Sequence, residues 1–437
     1  MKVILNKKFM SLTTLLVLST ALINCSINNN IPLNSIRSQQ NFKTFSVLKN
    51  KISFKASNFK EKGIYNNEYI IKFKKNEPNL QILNKYNLKI KSKISKIGMF
   101  VVQAPGFMIN STINSIKEEP SVKFFEPNYV ISLFPEIKEK LIKNDSTPTS
   151  EEIIPNDPLF KNQYAPQIIQ APKAWTLIQK GQCVPANIAI VDTGVDLEHP
   201  DLKDKLLPGK DFVDEDDIPM DENSHGTHCA GISAAIMDNN EGITGISPRS
   251  NIVPVRVLDN NGSGSLDDVA SGILWAADSG VKVISLSLGA PYATETLKEA
   301  VQYALNKDIV VLAAMGNSGN KQKYYPAAYE GVTAVSSTDS KDKYSYFTTY
   351  GEWVSVSAPG SSVLSSVPGG KYAIKSGTSM ACPNAAGVVA LIRCKFPELT
   401  NIEVKKRLEI TADDKGTPGF DIYYGNGRIN AYRALND

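Results

Sequence analysis

Hydrophobic positions change rhythm once along this chain, and the change divides it. In the N-terminal third, Glu68-Tyr69-Ile70-Ile71-Lys72-Phe73-Lys74, Met99-Phe100-Val101-Val102-Gln103 and residues 121–130 read as short strands. Residues 111–119 pattern as a helix, capped by Asn110 or Ser111 and ending before Pro120. Downstream come short continuous apolar runs at residues 188–191, 252–257, 281–288 and 309–314, as expected of strands buried on both faces of a parallel sheet. Helix-length segments such as 267–278 and 294–306 alternate with them. The pattern predicts a mostly parallel α/β sheet with helices on both faces, preceded by a small α+β unit. In such sheets function gathers beyond the carboxyl ends of the strands.

The remaining stretches are punctuation. Lys2, Lys7 and Lys8 precede an apolar run over residues 9–23, too short to span a bilayer comfortably, so residues 1–25 read as an export signal. Residues 26–60 are Asn/Ser/Lys-rich and read as a tether. Residues 136–155 are charged and contain Asp145-Ser146-Thr147-Pro148-Thr149-Ser150, which suits an exposed linker where nicking concentrates. This leaves 61–135 and 156–437 as the two folded parts.

Composition is that of a globular protein, with 42% hydrophobic and 21% charged residues. The net charge of +4 hides an asymmetry: residues 1–156 carry 23 Lys/Arg against 11 Asp/Glu, and the remainder 25 against 33. Opposite signs predict attraction between the two parts. No aromatic-interleaved basic patch or base-reading motif accompanies the basic part, so nucleic acid is not an expected partner. Of the five cysteines, Cys183, Cys229, Cys382 and Cys394 make an even count that permits disulfides. Cys229 and Cys382 read as buried free thiols of helices, and no Cys/His spacing suggests zinc.

Three segments carry the chemistry: Ala189-Ile190-Val191-Asp192-Thr193-Gly194, His225-Gly226-Thr227-His228-Cys229-Ala230-Gly231, and Gly377-Thr378-Ser379-Met380-Ala381. A serine hydroxyl becomes a useful nucleophile when an imidazole takes its proton, and the imidazole needs a carboxylate to hold its tautomer. Asp192, His225 and Ser379 stand in one of the recognised chain orders for such a triad. Taken singly, Ser379 reads as a helix cap, His228 as a packed helix residue and Asp196 as a second candidate carboxylate.

With these motifs the chain resembles the subtilisin-like serine peptidases, most closely thermitase-type members, from about Asn156 to the C-terminus. The resemblance implies a subtilisin-like fold, with Ser379 as nucleophile, His225 as base, Asp192 orienting it and Asn317 donating to the oxyanion. It implies that Gly262, Ser263, Gly264 and Ser287, Leu288, Gly289 sandwich an extended peptide by strand addition. The pocket before the scissile bond would be walled by Leu288-Gly289, Ala314, Met315, Gly316 and Tyr324. Met315 and Tyr324 are bulkier than the family usually places there, so a shallow pocket is expected. Structural Ca²⁺ is implied, with Asp157, Asp201, Met237, Asn239, Glu241 and Ile243 as ligands and Asp211, Asp214 and Asp216 as a weaker second site. In that second loop Met220 replaces a later ligand.

Residues 61–135, ending in Phe125-Glu126-Pro127-Asn128-Tyr129, resemble the family's ferredoxin-like inhibitory propeptide. Cys25 resembles a lipoprotein box, with Asn24 a departure, which implies lipidation and membrane anchoring. A second departure is Cys382-Pro383-Asn384 after the nucleophile, where the family usually reads Thr-Pro-His. The whole predicts an exported, monomeric serine endopeptidase made as a self-processed zymogen, acting on proteins and held by its own propeptide. Rival readings are a lipid-anchored binding protein and another serine acyl-transfer enzyme. The intact triad argues against the first. Ala381, in place of the second glycine of Gly-x-Ser-x-Gly, argues against an α/β-hydrolase esterase.

Overall fold

In the computed structural model, residues 63–138, 152–179 and 183–437 are described. The export signal, Cys25, the tether and most of the linker lie outside them. The N-terminal part runs β1 (Ile64–Phe73), α1 (Leu80–Lys85), β2 (Lys89–Ile94), β3 (Met99–Gln103), α2 (Asn110–Lys117) and β4 (Val122–Leu133). Its strands form an antiparallel sheet in the order β4-β1-β3-β2. One face packs on the two helices through Tyr69, Ile71, Phe73, Phe100, Ile116 and Phe125. Helix α2 begins a residue earlier than expected, with Ile109 rather than Asn110 or Ser111 at its cap and no side-chain cap bond. Strand β2 escapes the hydrophobic pattern because only Ile94 of Lys89–Ile94 is buried, and its lysines suit a sheet edge.

The larger part begins with α3 (Tyr164–Ile168) and α4 (Ala171–Gln179), then β5 (Ile188–Asp192), β6 (Lys210–Asp211), α5 (His225–Ala234) and β7 (Ile252–Arg256). There follow β8 (Ser263–Ser265), α6 (Leu266–Asp278), β9 (Val283–Leu286), β10 (Leu288–Gly289), α7 (Glu295–Asn306), β11 (Val310–Ala314), β12 (Thr333–Thr338) and β13 (Val356–Pro359). The chain ends with the hairpin β14 (Val363–Val367) and β15 (Lys371–Lys375), α8 (Thr378–Lys395), α9 (Asn401–Ile410) and α10 (Ala431–Asn436). Seven strands make one sheet, β13-β12-β11-β9-β5-β7-β6, with every pairing parallel.

Both faces of this sheet are covered, which is why its strands read as unbroken apolar runs. Ile188, Ile190, Leu312 and Ala314 face a core shared with α5 and α8, while Ala189, Val191, Val311 and Met315 face one shared with α6 and α7. The expected run 281–288 splits in two, because β10 leaves the large sheet and pairs with β4 instead. Cys183 and Cys394 form a disulfide with Cα atoms 4.8 Å apart, whereas Cys229 and Cys382 are buried free thiols, as the sequence suggests.

Candidate active site

Asp192 is the last residue of β5 and His225 the first of α5, so a strand end and a helix start deliver the pair. Asp192 Oδ1 lies 2.8 Å from His225 Nδ1 and also accepts from Thr193 N at 2.8 Å. Both side chains are buried, and Asp192 Oδ2 has no partner among the described residues. The approach depends on Gly226, where a Cβ would stand 2.1 Å from the Gly194 carbonyl oxygen. Gly226 N donates to Thr193 Oγ1, which donates to Asp221. Asp221 was not singled out from sequence, yet it accepts from Asn223 N, Ser224 N, Thr227 N and Thr227 Oγ1 and so anchors the start of α5.

Ser379 is the second residue of α8, following Gly377 in extended backbone at the cap. Its Oγ donates to Ser287 O at 3.1 Å, and among the described residues it makes no hydrogen bond to His225. Pro383, four residues on, has no N–H to offer the Ser379 carbonyl. That carbonyl instead accepts from Ser287 Oγ at 2.9 Å and from the Cys229 thiol at 3.4 Å. Burial pushes the Cys229 thiol well above its ordinary range, so it remains protonated and can donate. Asn384 donates to Pro359 O and Met380 O and stays inside the helix packing.

Thr378 aims the Asn317 amide, since both its N–H and its hydroxyl donate to Asn317 Oδ1 at 3.0 Å. Asn317 Nδ2 is thereby turned outward and donates to Pro135 O at 3.1 Å. Pro135 belongs to the N-terminal part, whose last strand lies in the cleft. Val130, Ile131 and Ser132 pair antiparallel with Ser265, Gly264 and Ser263, while Ser132 and Leu133 pair with Gly289 and Leu288. The segments expected to sandwich a peptide thus hold one. Phe134 sets its ring edge-on to Tyr324, with centroids 5.2 Å apart, and a Cβ on Gly289 would lie 3.0 Å from it. The expectation of a shallow pocket is corrected here. Met315 points into the opposite core, so its bulk does not narrow a space that takes a phenylalanine ring.

Residues 186–427 match the model of the subtilase family, peptidase S8. The chain belongs to the subtilase family. Residues 56–128 match the fervidolysin N-terminal prodomain. Thermitase of Thermoactinomyces vulgaris is 51% identical over 282 residues, covering 64% of this chain and 99% of thermitase. A thermophilic serine proteinase of Bacillus sp. (strain AK1) is 41% identical over 389 residues, 86% of this chain and 89% of its own. The crystal structure of fervidolysin from Fervidobacterium pennivorans, a keratinolytic enzyme related to subtilisin, superposes with a TM-score of 0.77 at 27% identity. That likeness covers 87% of this chain but 62% of fervidolysin, less than two thirds of it. This subtilase is therefore a serine endopeptidase with a propeptide, which acts on proteins.

The other expected residues of the subtilase divide into two groups. His228 is buried beside the catalytic pair, its Nε2 donates to Ala373 O at 3.0 Å, and burial drives its pKa down to about 3. Asp196 accepts from Glu198 N and Gly369 N, away from His225. Asp157 accepts from Asp238 N and Asn239 N, and Asp201 from Asn239 Nδ2 and Ile243 N. These two carboxylates are buried with no cationic side chain bonded to either among the described residues, and burial together with the Asp201 charge raises the Asp157 pKa. The second acidic loop is bound by a cation from β7: Arg256, which sequence reading missed, donates to Asp211 at 2.7 Å, Asp214 at 2.6 Å and Glu222 at 3.1 Å, while Asp216 caps Ile218 N.

Proposed function

We propose that Ser379 attacks the substrate carbonyl, His225 takes and returns the proton, Asp192 holds the imidazole and Asn317 stabilises the oxyanion. The observation that carries this reading is the Asn317 amide, aimed by Thr378 at the carbonyl of a peptide lying in the cleft beside the Asp192–His225 pair. Attack would move the Ser379 proton to His225 Nε2 as the Oγ–C bond forms. Collapse would return it to the leaving nitrogen, and water would then resolve the acyl-enzyme. The negative oxygen formed in between needs donors already in place, which Asn317 Nδ2 and the N–H groups opening α8 supply. Gly262-Ser263-Gly264 and Ser287-Leu288-Gly289 would hold the substrate, with Leu288-Gly289, Ala314, Gly316 and Tyr324 around its side chain.

Ca²⁺ would fit between Asp157 and the loop of residues 237–243, where the buried carboxylates of Asp157 and Asp201 repel one another. Asp157, Asp201, Asn239, Glu241 and the carbonyls of Met237 and Ile243 would hold it, and the ion would neutralise that charge. Residues 61–135 would act as the propeptide domain and 156–437 as the mature enzyme. Export, followed by lipidation at Cys25, rests on the N-terminal sequence alone.

The test is hydrolysis of casein by the wild type and by Ser379→Ala. The variant should lose about 10⁴-fold or more of kcat while folding normally. Equal activity in the two would remove Ser379 from the mechanism.

A further inference from the structure

The end of β4 does not stop at the catalytic centre but runs across it. Leu133 N donates to Gly262 O at 2.9 Å, and the chain is paired again at Ile137, which bridges Ser376 three residues before Ser379. Phe134, Pro135 and Glu136 therefore span the nucleophile. Two markers say which bond is presented, and they differ by one residue. The Phe134 ring fills the pocket at Tyr324 and Gly289, which presents Phe134–Pro135. The Asn317 amide holds the Pro135 oxygen, which presents Pro135–Glu136. Pro135 flanks both bonds.

We infer that Pro135 is a lock that makes this seated segment uncleavable, so that the maturation cut falls at neither bond. The inference rests on Ser379 being the nucleophile. If Pro135–Glu136 faces Ser379, the acyl residue is the proline. Its ring holds φ near −65°, far from the roughly −140° of an antiparallel strand, and it has no N–H to add to the ladder. The main-chain hydrogen bond that an ordinary acyl residue donates is then missing, although the carbonyl oxygen sits on the Asn317 amide.

If the chain slides so that Phe134–Pro135 faces Ser379, the leaving nitrogen is the proline's. The Ser379 Oγ–C bond to Phe134 would form and the Phe134 C–Pro135 N bond would break, with the proton on His225 passing to that nitrogen. In an ordinary amide this nitrogen carries a hydrogen; here ring Cδ occupies that place, crowds the preceding residue and faces the imidazole. At either of these two bonds the ring lies beside the reacting carbon. The same strand can thus bind as a substrate binds, through β8 and β10, and remain intact.

The experiment maps the C-termini of the propeptide fragments released during self-processing of the full chain, by mass spectrometry over time, for wild type and Pro135→Ala. Wild-type fragments should end at neither Phe134 nor Pro135. In Pro135→Ala, fragments ending at residue 134 or 135 should rise about a hundredfold, the scale on which small misplacements of a reacting centre act. Wild-type fragments ending at either residue, or a folded Pro135→Ala chain that yields none, would overturn the lock. Should that variant fail to fold, the wild-type termini decide alone. Casein hydrolysis in the same preparations separates the two readings. Activity that survives Ser379→Ala removes the nucleophile, whereas an active wild type cut at Phe134 or Pro135 removes only the lock.

Discussion

Asp221 shows how much of a catalytic site lies outside the reacting groups. It is 4% exposed, and its two oxygens accept five hydrogen bonds, from Thr193 Oγ1, Asn223 N, Ser224 N, Thr227 N and Thr227 Oγ1. These tie the turn after Asp192 to the helix that begins with His225, and they hold Ser224 in left-handed backbone at φ +96°. Asp221→Ala should cost roughly 3 kcal/mol or more in denaturant unfolding, because several buried donors lose a charged acceptor together. Since the His225 position depends on the same bonds, kcat should fall with KM little changed, and Asp221→Asn should restore part of it. A variant with wild-type kcat would reduce Asp221 to a stabilising residue. In sequence, an aspartate four residues ahead of a helix-opening His-Gly-Thr-His was a readable capping signal, but its bonds to Thr193 were not.

Helix starts at the interface of the two parts tell a similar story one scale up. Helices α6 and α7 were expected almost where they form, and their local caps, Ser265 and Thr294, lie immediately ahead of them. Further caps come from β4, distant in sequence. Glu126 accepts from Glu295 N, Thr296 N and Thr296 Oγ1, and Asn128 Oδ1 accepts from Asp267 N. A carboxylate on the unpaired N–H groups opening a helix stabilises both the bonds and the dipole. Glu126→Ala should therefore destabilise the full chain by about 0.5–2 kcal/mol and leave the processed enzyme unchanged. Matching thermal shifts in both forms would show that the cap does not work across the interface.

Across the whole molecule, the charge asymmetry has a location. Lys72 and Lys123 reach Glu299 at 2.5 and 3.2 Å, and Lys96 reaches Asp278 at 2.5 Å, so basic N-terminal residues meet acidic helices. One contact at this interface opposes that trend. Asp268 is held up to about 7, first by burial and then by Asp267, with Glu68 and Glu215 adding to it. Its Oδ2 accepts from Ser265 Oγ, while Lys91 pairs with Glu68 across from it. A carboxyl raised above its unfolded value of 3.8 is protonated in the native state, so its contribution is fully present below that value. It is lost as pH rises toward 7, where the acid ionises beside Asp267 and Glu68. Because Glu68, which adds to this shift, belongs to the propeptide, the propeptide should leave the enzyme faster at pH 8 than at pH 5, and Asp268→Asn should flatten that difference. Dissociation rates that are pH-independent in the wild type would sink the claim.

Local signals settled a good deal. The parallel sheet was legible because strands buried on both faces must be apolar throughout, and the triad because the glycines and small residues around Asp192, His225 and Ser379 are needed for close backbone approach. The propeptide strand at residues 99–103 was legible for the same reason of burial, whereas β4 buries only every third residue. Contacts between residues far apart in the chain left no such trace. The Cys183–Cys394 bond, Arg256 inside the acidic loop, Met315 turned into the opposite core and Thr378 aiming Asn317 each depend on which elements become neighbours. Pro135 stood unremarked in the sequence, since a proline at a strand end is ordinary. It acquires meaning only when β4 is laid between β8 and β10 and carried over Ser379, because only there does its ring meet the bond that the enzyme would cut.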